Sequence, residues 1–69
     1  MKFPIATSYI KLDSFLKMVS AVSSGGEAKI VIAEGNVSVN GDLEIRRGRK
    51  LYPGDRIGFG GAEYKVEAE

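Results

Sequence analysis

The first third of the chain has the spacing of an amphipathic helix. In the stretch LDSFLKMV, apolar side chains recur at intervals of three and four residues, at Leu12, Phe15, Leu16 and Val19. Asp13 follows the first of them, where a carboxylate meets the positive end of a helix dipole. The pattern predicts a first helix at about 12–21, ended by the SSGG that follows.

A second helix is predicted directly after this break. Ser24 is a good N-cap residue, and Glu27 stands three positions later, which is the capping-box pattern. The helix is predicted at about 25–34, with Gly35 as a left-handed residue just past its end. Its core face is formed by the apolar side chains of Ala28, Val31 and Ile32.

Beyond the second helix, the apolar period changes from helical to alternating. Val37 and Val39 alternate with polar neighbours and lead to Asn40-Gly41, a strong signal for a two-residue hairpin turn of type I′. Two more turns are predicted downstream, a type II turn at Pro53-Gly54 and a glycine turn at Gly60-Gly61. This part of the chain is therefore expected to form short strands joined by tight turns.

These elements predict an α+β fold. A short strand near 3–7 is expected before the helices. The two short helices should pack on a small, mostly C-terminal antiparallel β-sheet built of hairpins. With 69 residues and no repeat or linker, residues 1–69 are expected to form one domain.

The residue types that are missing narrow the function. The chain has no cysteine and no histidine, which removes disulfides, the usual zinc ligands and the commonest general base. No Walker pattern occurs, so we expect no enzyme activity, no metal and no cofactor. The N-terminus lacks an apolar signal segment, and no apolar run reaches the roughly 18 residues of a membrane span. We therefore expect a cytoplasmic protein without membrane contact.

Positive charge is concentrated in one segment, although the net charge is only +1. The stretch EIRRGRKL contains four cations around Gly48, at Arg46, Arg47, Arg49 and Lys50. Gly48 permits a bend that gathers side chains which a straight strand would send to both faces. A charged run most often serves solubility. Three arginines nevertheless favour a phosphate ligand here, because the guanidinium group binds phosphate through two parallel hydrogen bonds.

The SSGG stretch is a second candidate anion site. Ser24, Gly25 and Gly26 leave backbone N–H groups unobstructed at the positive end of the second helix. A plain turn with an N-cap explains the stretch equally well. Lys17 and Lys29 lie off the apolar stripes and would extend a positive surface across the helix pair, although Lys17 is also spaced to pair with Asp13 one turn away.

Three segments of the chain match the motifs of one known family. They are LDSFL in the first helix, AKIVIAEGNVSVNG from the second helix into the hairpin, and LYPGDRI after the basic stretch. Together they resemble the RNA-binding domain first described in small-subunit ribosomal protein number four, also called the alpha-L RNA-binding motif. The resemblance covers about two thirds of the chain. The SSGGEAK and RRGRKL stretches and the small size are most similar to stand-alone bacterial members of the YaaA and YbcJ type.

The resemblance implies a non-catalytic module that binds structured RNA. Ribosomal RNA or a ribosome-assembly intermediate is the implied target, with ribosomal or assembly proteins as further partners, and we expect a monomer. In A-form RNA the deep major groove excludes side chains, so contacts to phosphates and 2′-hydroxyls should dominate. Lys11 and Gly25 stand where larger relatives usually carry arginine, so the basic stretch is expected to contribute more of the binding.

The predicted RNA-binding residues combine these features. They are Lys11, Lys17, Ser24, Gly25, Gly26, Lys29, Arg46, Arg47, Arg49, Lys50 and Tyr52. Tyr9, Tyr52 and Tyr64 are each either a stacking platform for an unpaired base or part of the core, and Tyr52 is chosen because it adjoins the basic stretch. Ile30 lies opposite the apolar face of the second helix, where cover by residues 3–9 is expected in preference to exposure at a contact surface.

Two functions of different class remain open from the sequence. One is the RNA-binding module, and the other is a small protein-interaction module that uses the basic stretch to bind an acidic partner. Exposed cations contribute little to stability. Replacing Arg46, Arg47 and Arg49 by serine is therefore expected to leave the domain nearly as stable while weakening RNA binding.

Overall fold

The computed structural model describes residues 2–69. In this range two strands, β1 (Lys2–Ile5) and β2 (Ile10–Lys11), precede two helices, α1 (Leu12–Met18) and α2 (Gly25–Ala33). After α2 come β3 (Val37–Val39), β4 (Asp42–Leu43), β5 (Lys50–Leu51), β6 (Arg56–Phe59) and β7 (Ala62–Ala68). The strands form one sheet in the order β1-β7-β6-β3-β4 and a separate two-stranded ribbon of β2 and β5.

The predicted α+β class is confirmed, but the main sheet is mixed. The pairs β3-β4, β3-β6 and β6-β7 are antiparallel hairpin or neighbour pairs, as expected. β1 instead runs parallel to β7, with Phe3 opposite Val66. Parallel neighbours cannot be joined by a tight turn, so the pairing depends on the path of the whole chain. No local sequence pattern could therefore indicate it.

The predicted turns are present with the expected backbone geometry. Asn40 and Gly41 have φ angles of 53° and 88°, the positive pair that a type I′ turn requires. Gly54 has a φ of 100°, and the Asp55 N–H donates to the Tyr52 carbonyl at 3.0 Å, as in a type II turn. The hairpin turns thus set the register of the sheet.

The start and end of α2 are those the sequence predicted. Ser24 Oγ accepts a hydrogen bond from the Glu27 N–H at 3.1 Å, and Glu27 Oε1 accepts from the Ser23 N–H at 2.6 Å. Gly35 follows the helix with a φ of 81°, and its N–H donates to the Ile32 carbonyl at 3.1 Å. The capping pair closes the N-terminus and the left-handed glycine closes the C-terminus.

α1 ends at Met18, before its predicted end. Ser20 adopts a left-handed conformation with a φ of 60°. Its N–H donates to the Lys17 carbonyl at 3.0 Å, and the Ala21 N–H donates to the Leu16 carbonyl at 3.0 Å. This is the Schellman arrangement of a helix C-terminus, with serine at the position that glycine usually occupies. The apolar spacing continues through Val19 and therefore overestimated the length of the helix.

Ser20→Gly should stabilise the protein by about 1 kcal/mol, because a left-handed backbone costs an L-residue roughly this much more than glycine. Ser14→Gly is the matched control, since Ser14 is exposed within α1 and a glycine there should destabilise by about 0.5–1 kcal/mol. Thermal denaturation followed by circular dichroism measures both changes. A lower melting temperature for Ser20→Gly would contradict the assigned helix end.

Both helices and the sheet contribute to one apolar core. Phe15 lies within it in edge-on contact with Phe3 and Tyr64, at ring-centroid distances of 6.2 and 6.5 Å. The buried apolar residues are Ile5, Leu12, Phe15, Leu16, Val22, Ala28, Ile32, Val37, Val39, Leu51, Ile57 and Val66. Ile30 is 57% exposed, so the expected cover by residues 3–9 is wrong. The N-terminal segment is held at the sheet edge by β7 and does not pass over α2.

Candidate functional site

The basic loop, defined as residues 46–50, lies across the start of α1. The Leu12 N–H donates to the Arg49 carbonyl at 2.9 Å, and the Asp13 N–H donates to the Arg47 carbonyl at 3.1 Å. α1 has no side-chain N-cap, so these loop carbonyls satisfy N–H groups that a helix start leaves free. The backbone of the loop is therefore fixed to the helix.

Two of the four loop cations bind a buried carboxylate. Glu44 is only 4% exposed. Its Oε1 accepts from Arg49 Nη1 at 2.7 Å, and its Oε2 accepts from Arg46 Nε at 3.0 Å and from the Arg46 backbone N–H at 3.1 Å. Arg46 Nη2 adds a contact to Oε1 at 3.3 Å. Both carboxylate oxygens are thus bonded to the loop that follows them.

These hydrogen bonds strongly stabilise the ionised form of Glu44. The Arg46 side chain, followed by that of Arg49, lowers the pKa of the Glu44 carboxyl from 4.5 to about 2, although burial opposes the shift. The carboxylate is therefore charged over the whole physiological range of pH. It keeps both guanidinium groups oriented, while the Arg46 side chain remains 75% exposed and that of Arg49 32% exposed.

The expectation that arginine substitutions in the loop leave stability nearly unchanged assumed solvated cations, and the structure removes this premise for two of the three positions. Removing Arg46 or Arg49 takes a partner away from a buried charge, which is a different case from removing a solvated cation. Only Arg47 fits the original expectation, because it is exposed and makes no ion pair in the described part of the chain.

The inward position of Glu44 was missed, because the hairpin register alone does not indicate it. A two-residue turn at Asn40-Gly41 pairs Val39 with Asp42, and the Glu44 N–H then donates to the Val37 carbonyl at 3.0 Å. Val37 is buried in the core, and Glu44 opposite it is buried as well. The same count places Asp42 opposite the buried Val39, yet Asp42 is exposed, so counting from the turn would not have distinguished Glu44 from Asp42.

Beside the loop, the β2-β5 ribbon places more cations on one surface. Lys11 pairs in register with Lys50, and both side chains are exposed. Directly opposed like charges destabilise a strand pair, so an anionic ligand would relieve a repulsion already present in the fold. Lys50 Nζ lies 4.9 Å from the centroid of the Tyr9 ring. The ribbon therefore joins the predicted residues Lys11, Lys50 and Tyr52 to the basic loop.

A second group of predicted residues surrounds the start of α2. Lys17 Nζ lies 3.9 Å from the point where a β-carbon would stand on Gly25, so the ammonium group lies beside the helix N-terminus. Lys17 forms no ion pair with Asp13 among the described residues. Gly26 and Lys29 are exposed, and Lys29 lies one turn further along the same side of the helix. Ser24 is occupied as the N-cap.

The two groups lie at opposite ends of α1, which starts at the basic loop and carries Lys17 near its other end. At 1.5 Å per residue, the seven residues of this helix separate the ends by about 10 Å. The structure therefore brings Lys11, Arg46, Arg47, Arg49, Lys50 and Tyr52 into one group. Lys17, Ser24, Gly25, Gly26 and Lys29 form the other.

Residues 2–69 contain neither a metal-binding cluster nor a membrane-spanning helix. No grouping of three or more Asp and Glu side chains there is placed to hold a metal ion. Neither helix of this range is long and apolar enough to cross a membrane.

The chain is similar to two bacterial proteins over most of its length. It is 48% identical over 59 residues to the "Probable ribosome maturation protein RlbA" of Bacillus subtilis (strain 168), covering 81% of this chain and 83% of the relative. It is 38% identical over 60 residues to the YbcJ protein of Escherichia coli (strain K12), covering 87% of this chain and 86% of that protein.

The structural comparison agrees with the sequence comparison. The solution structure of YbcJ from E. coli, described as revealing an alpha-L motif involved in RNA binding, superposes with a TM-score of 0.74 at 35% sequence identity. The match covers 97% of this chain and 86% of YbcJ. The helix pair α1-α2 and the hairpin after it thus form the motif that the sequence predicted. Because the S4 domain family also matches residues 3–67, nearly all of the chain, this protein belongs to the S4 domain family.

Proposed function

We propose that this protein is a non-catalytic RNA-binding module that recognises structured RNA through the basic loop, the β2-β5 ribbon and the start of α2. The observation that carries the proposal is the pair of ion pairs from Glu44, which hold Arg46 and Arg49 in fixed orientations. Fixed arginines lose less conformational freedom when they bind phosphate. The same ion pairs also stabilise the fold, so the proposal is tested on binding at Arg47, which takes no part in them.

The geometry fits the backbone of an RNA stem better than its bases. The cations lie beside a helix start, on a loop and on a ribbon. The deep and narrow major groove of A-form RNA excludes side chains, so these cations would meet the phosphates along its edges. Contacts to phosphates position a protein on nucleic acid without reading sequence. We therefore propose recognition of shape, through phosphates and 2′-hydroxyl groups.

Ribosomal RNA, or an intermediate in ribosome assembly, is the proposed target. The support is the 48% identical relative named for ribosome maturation and the relative whose structure is described as RNA-binding. On this proposal the chain acts in the cytoplasm as a monomeric unit, and ribosomal or assembly proteins are secondary partners. Crosslinking in cells, followed by sequencing of the bound RNA, would identify the target directly.

Arg47→Gln should weaken binding to a structured RNA stem-loop by about tenfold, since one charge-assisted phosphate contact is lost. The slope of log affinity against log salt should become less negative by about 0.7–0.9. Arg47 is exposed and unpaired, so its removal should change stability by less than about 0.5 kcal/mol. Fluorescence anisotropy with a labelled stem-loop, measured over a salt series, gives both quantities.

Arg56→Gln is the matched control. Arg56 is an exposed arginine opposite Lys65, on the face of the main sheet turned away from the helices, because its neighbour Ile57 points into the core. The Arg56→Gln variant should bind RNA with the same affinity as the parent protein. Equal losses for the two variants would indicate nonspecific attraction. Binding of acidic proteins without RNA binding would instead support the protein-interaction function.

A DNA duplex of the same sequence serves as the second competitor. Its groove widths differ from those of A-form RNA and it lacks 2′-hydroxyl groups, so it should compete less well. If DNA competes equally at every salt concentration, the proposed recognition of RNA shape is wrong.

A further inference from the structure

The outward face of the β2-β5 ribbon carries two tyrosines beside two lysines. Ile10 pairs with Leu51, and these two residues point toward the core. Side chains alternate along a strand, so the flanking residues point the other way. The outward residues are Tyr9, Lys11, Lys50 and Tyr52.

The two tyrosine rings form a continuous exposed surface. Their centroids lie 6.1 Å apart with an interplanar angle of 47°. Tyr9 is 37% exposed and Tyr52 is 49% exposed. Lys50 Nζ lies over the Tyr9 ring at 4.9 Å from its centroid, a cation–π contact, whereas the ring contact of Tyr52 is to Tyr9. The Tyr52 ring is thus the more open of the two.

The third tyrosine, Tyr64, differs from these two because it packs in the aromatic core. Tyr64 is partly buried and packs 5.8 Å from Phe3 and 6.5 Å from Phe15, measured between ring centroids. Tyr9 and Tyr52 make no such contact with the aromatic core. Exposed aromatic rings that the core does not use are available to a ligand.

We propose that the exposed Tyr52 ring of the Tyr9-Tyr52 platform stacks against one unpaired nucleobase of the bound RNA, while Lys50 and Lys11 contact the phosphates beside it. The inference rests on the proposed function and adds the kind of RNA that is preferred. A nucleotide combines a flat aromatic ring with an anion, which matches two rings flanked by two ammonium groups. An acidic peptide would engage the lysines and leave the rings uncovered.

The platform favours an unpaired base for a geometric reason. A paired base inside a stem is stacked on both of its faces and cannot lie on a protein ring. A bulged or looped base can be turned out and stacked on an aromatic side chain. The expected target is therefore a stem with a bulge or a loop next to it. Arg46 and Arg49 would bind the stem, and the tyrosines would bind the unpaired base.

The test compares two RNA stem-loops that differ by one bulged nucleotide, with 2-aminopurine as the bulged base. The parent protein should bind the bulged RNA roughly 5- to 150-fold more tightly than the fully paired RNA, the range expected for one base stacked on an aromatic ring. Stacking should also quench the fluorescence of 2-aminopurine. Tyr52→Leu should abolish the preference and the quenching, and Tyr52→Phe should keep both.

The outcomes separate this inference from the proposed function. Arg47→Gln should weaken binding of both RNAs by the same factor, whereas Tyr52→Leu should affect the bulged RNA only. Equal affinity of the parent for both RNAs would overturn the platform and leave the basic site standing. A Tyr52→Leu variant that loses both RNAs equally while folding normally would also overturn it. Failure of both RNAs to bind the parent would overturn the platform together with the proposed function.

Discussion

Replacing Arg46 and Arg49 together by alanine is expected to lower the melting temperature by roughly 10–25 °C. The two substitutions leave the Glu44 carboxylate, only 4% exposed, without a cationic partner. Leaving a buried charge without its partner costs about 3–5 kcal/mol. We expect the lower end of this range, because the Arg46 side chain is 75% exposed and water can reach Glu44 from its position. In a domain of this size 1 kcal/mol corresponds to about 4–8 °C.

Two further variants show whether the loss comes from Glu44 or from the change in net charge. Arg47→Ala combined with Arg56→Ala also removes two positive charges, but from exposed positions. This variant should leave the melting temperature nearly unchanged. Adding Glu44→Gln to the Arg46/Arg49 double variant removes the stranded charge and should recover most of the stability. Equal melting temperatures for the two double variants would mean that the ion pairs do not stabilise the fold.

Most of the fold could be predicted because its signals are local. The capping pair of Ser24 and Glu27, the left-handed Gly35 and the Asn40-Gly41 turn each act within a few residues, and each is present in the structure. The parallel β1-β7 pair and the β2-β5 ribbon could not be predicted in this way. They join segments that are far apart in sequence, and the pattern of hydrophobic and polar residues within each segment is too short to specify a partner strand.

The sequence shows where the cations of the candidate site are concentrated, but it does not show their arrangement. Sequence spacing identified the cations of the basic loop, because charge density is visible without coordinates. It did not show that Glu44 points inward, since that requires the hairpin register to be carried past the end of β4. Nor did it pair Tyr9 with Tyr52, since their contact depends on the ribbon. Residues that act through long-range contacts were the ones missed.

The ion pairs with Glu44 show that the basic loop is ordered and is not a flexible run of charges. Four cations in a flexible loop would repel one another and would lose much conformational entropy on binding. One buried carboxylate offsets part of this repulsion and fixes two of the four side chains. The carbonyls of Arg47 and Arg49 fix the loop backbone to α1. On the proposed function, stability and binding would depend on the same few contacts, and Glu44 would contribute to binding without touching the ligand.

Acidification is expected to remove the contribution of Glu44 to stability between pH 4.5 and about 2. The folded-state pKa of this carboxyl is lowered from 4.5 to about 2, first by the Arg46 hydrogen bonds and then by Arg49. A group with a depressed pKa in the folded state stabilises the protein fully above its unfolded-state pKa. Its contribution is lost as the pH falls through the folded-state value. We expect about 2 kcal/mol, because the solvent on the Arg46 side screens the interaction.

Glu44→Gln isolates this contribution from that of the other carboxylates. Urea unfolding of the parent and of the variant, at a series of pH values from 7 to 2, gives the difference between their free energies of unfolding. That difference should stay constant above about pH 4.5 and fall below it. Most of it should be lost by pH 2, where Glu44 is protonated in nearly all unfolded molecules and in about half of the folded ones. All other acidic groups are common to both proteins and cancel. A difference that stays constant down to pH 2 would show that Glu44 is not held ionised by Arg46 and Arg49.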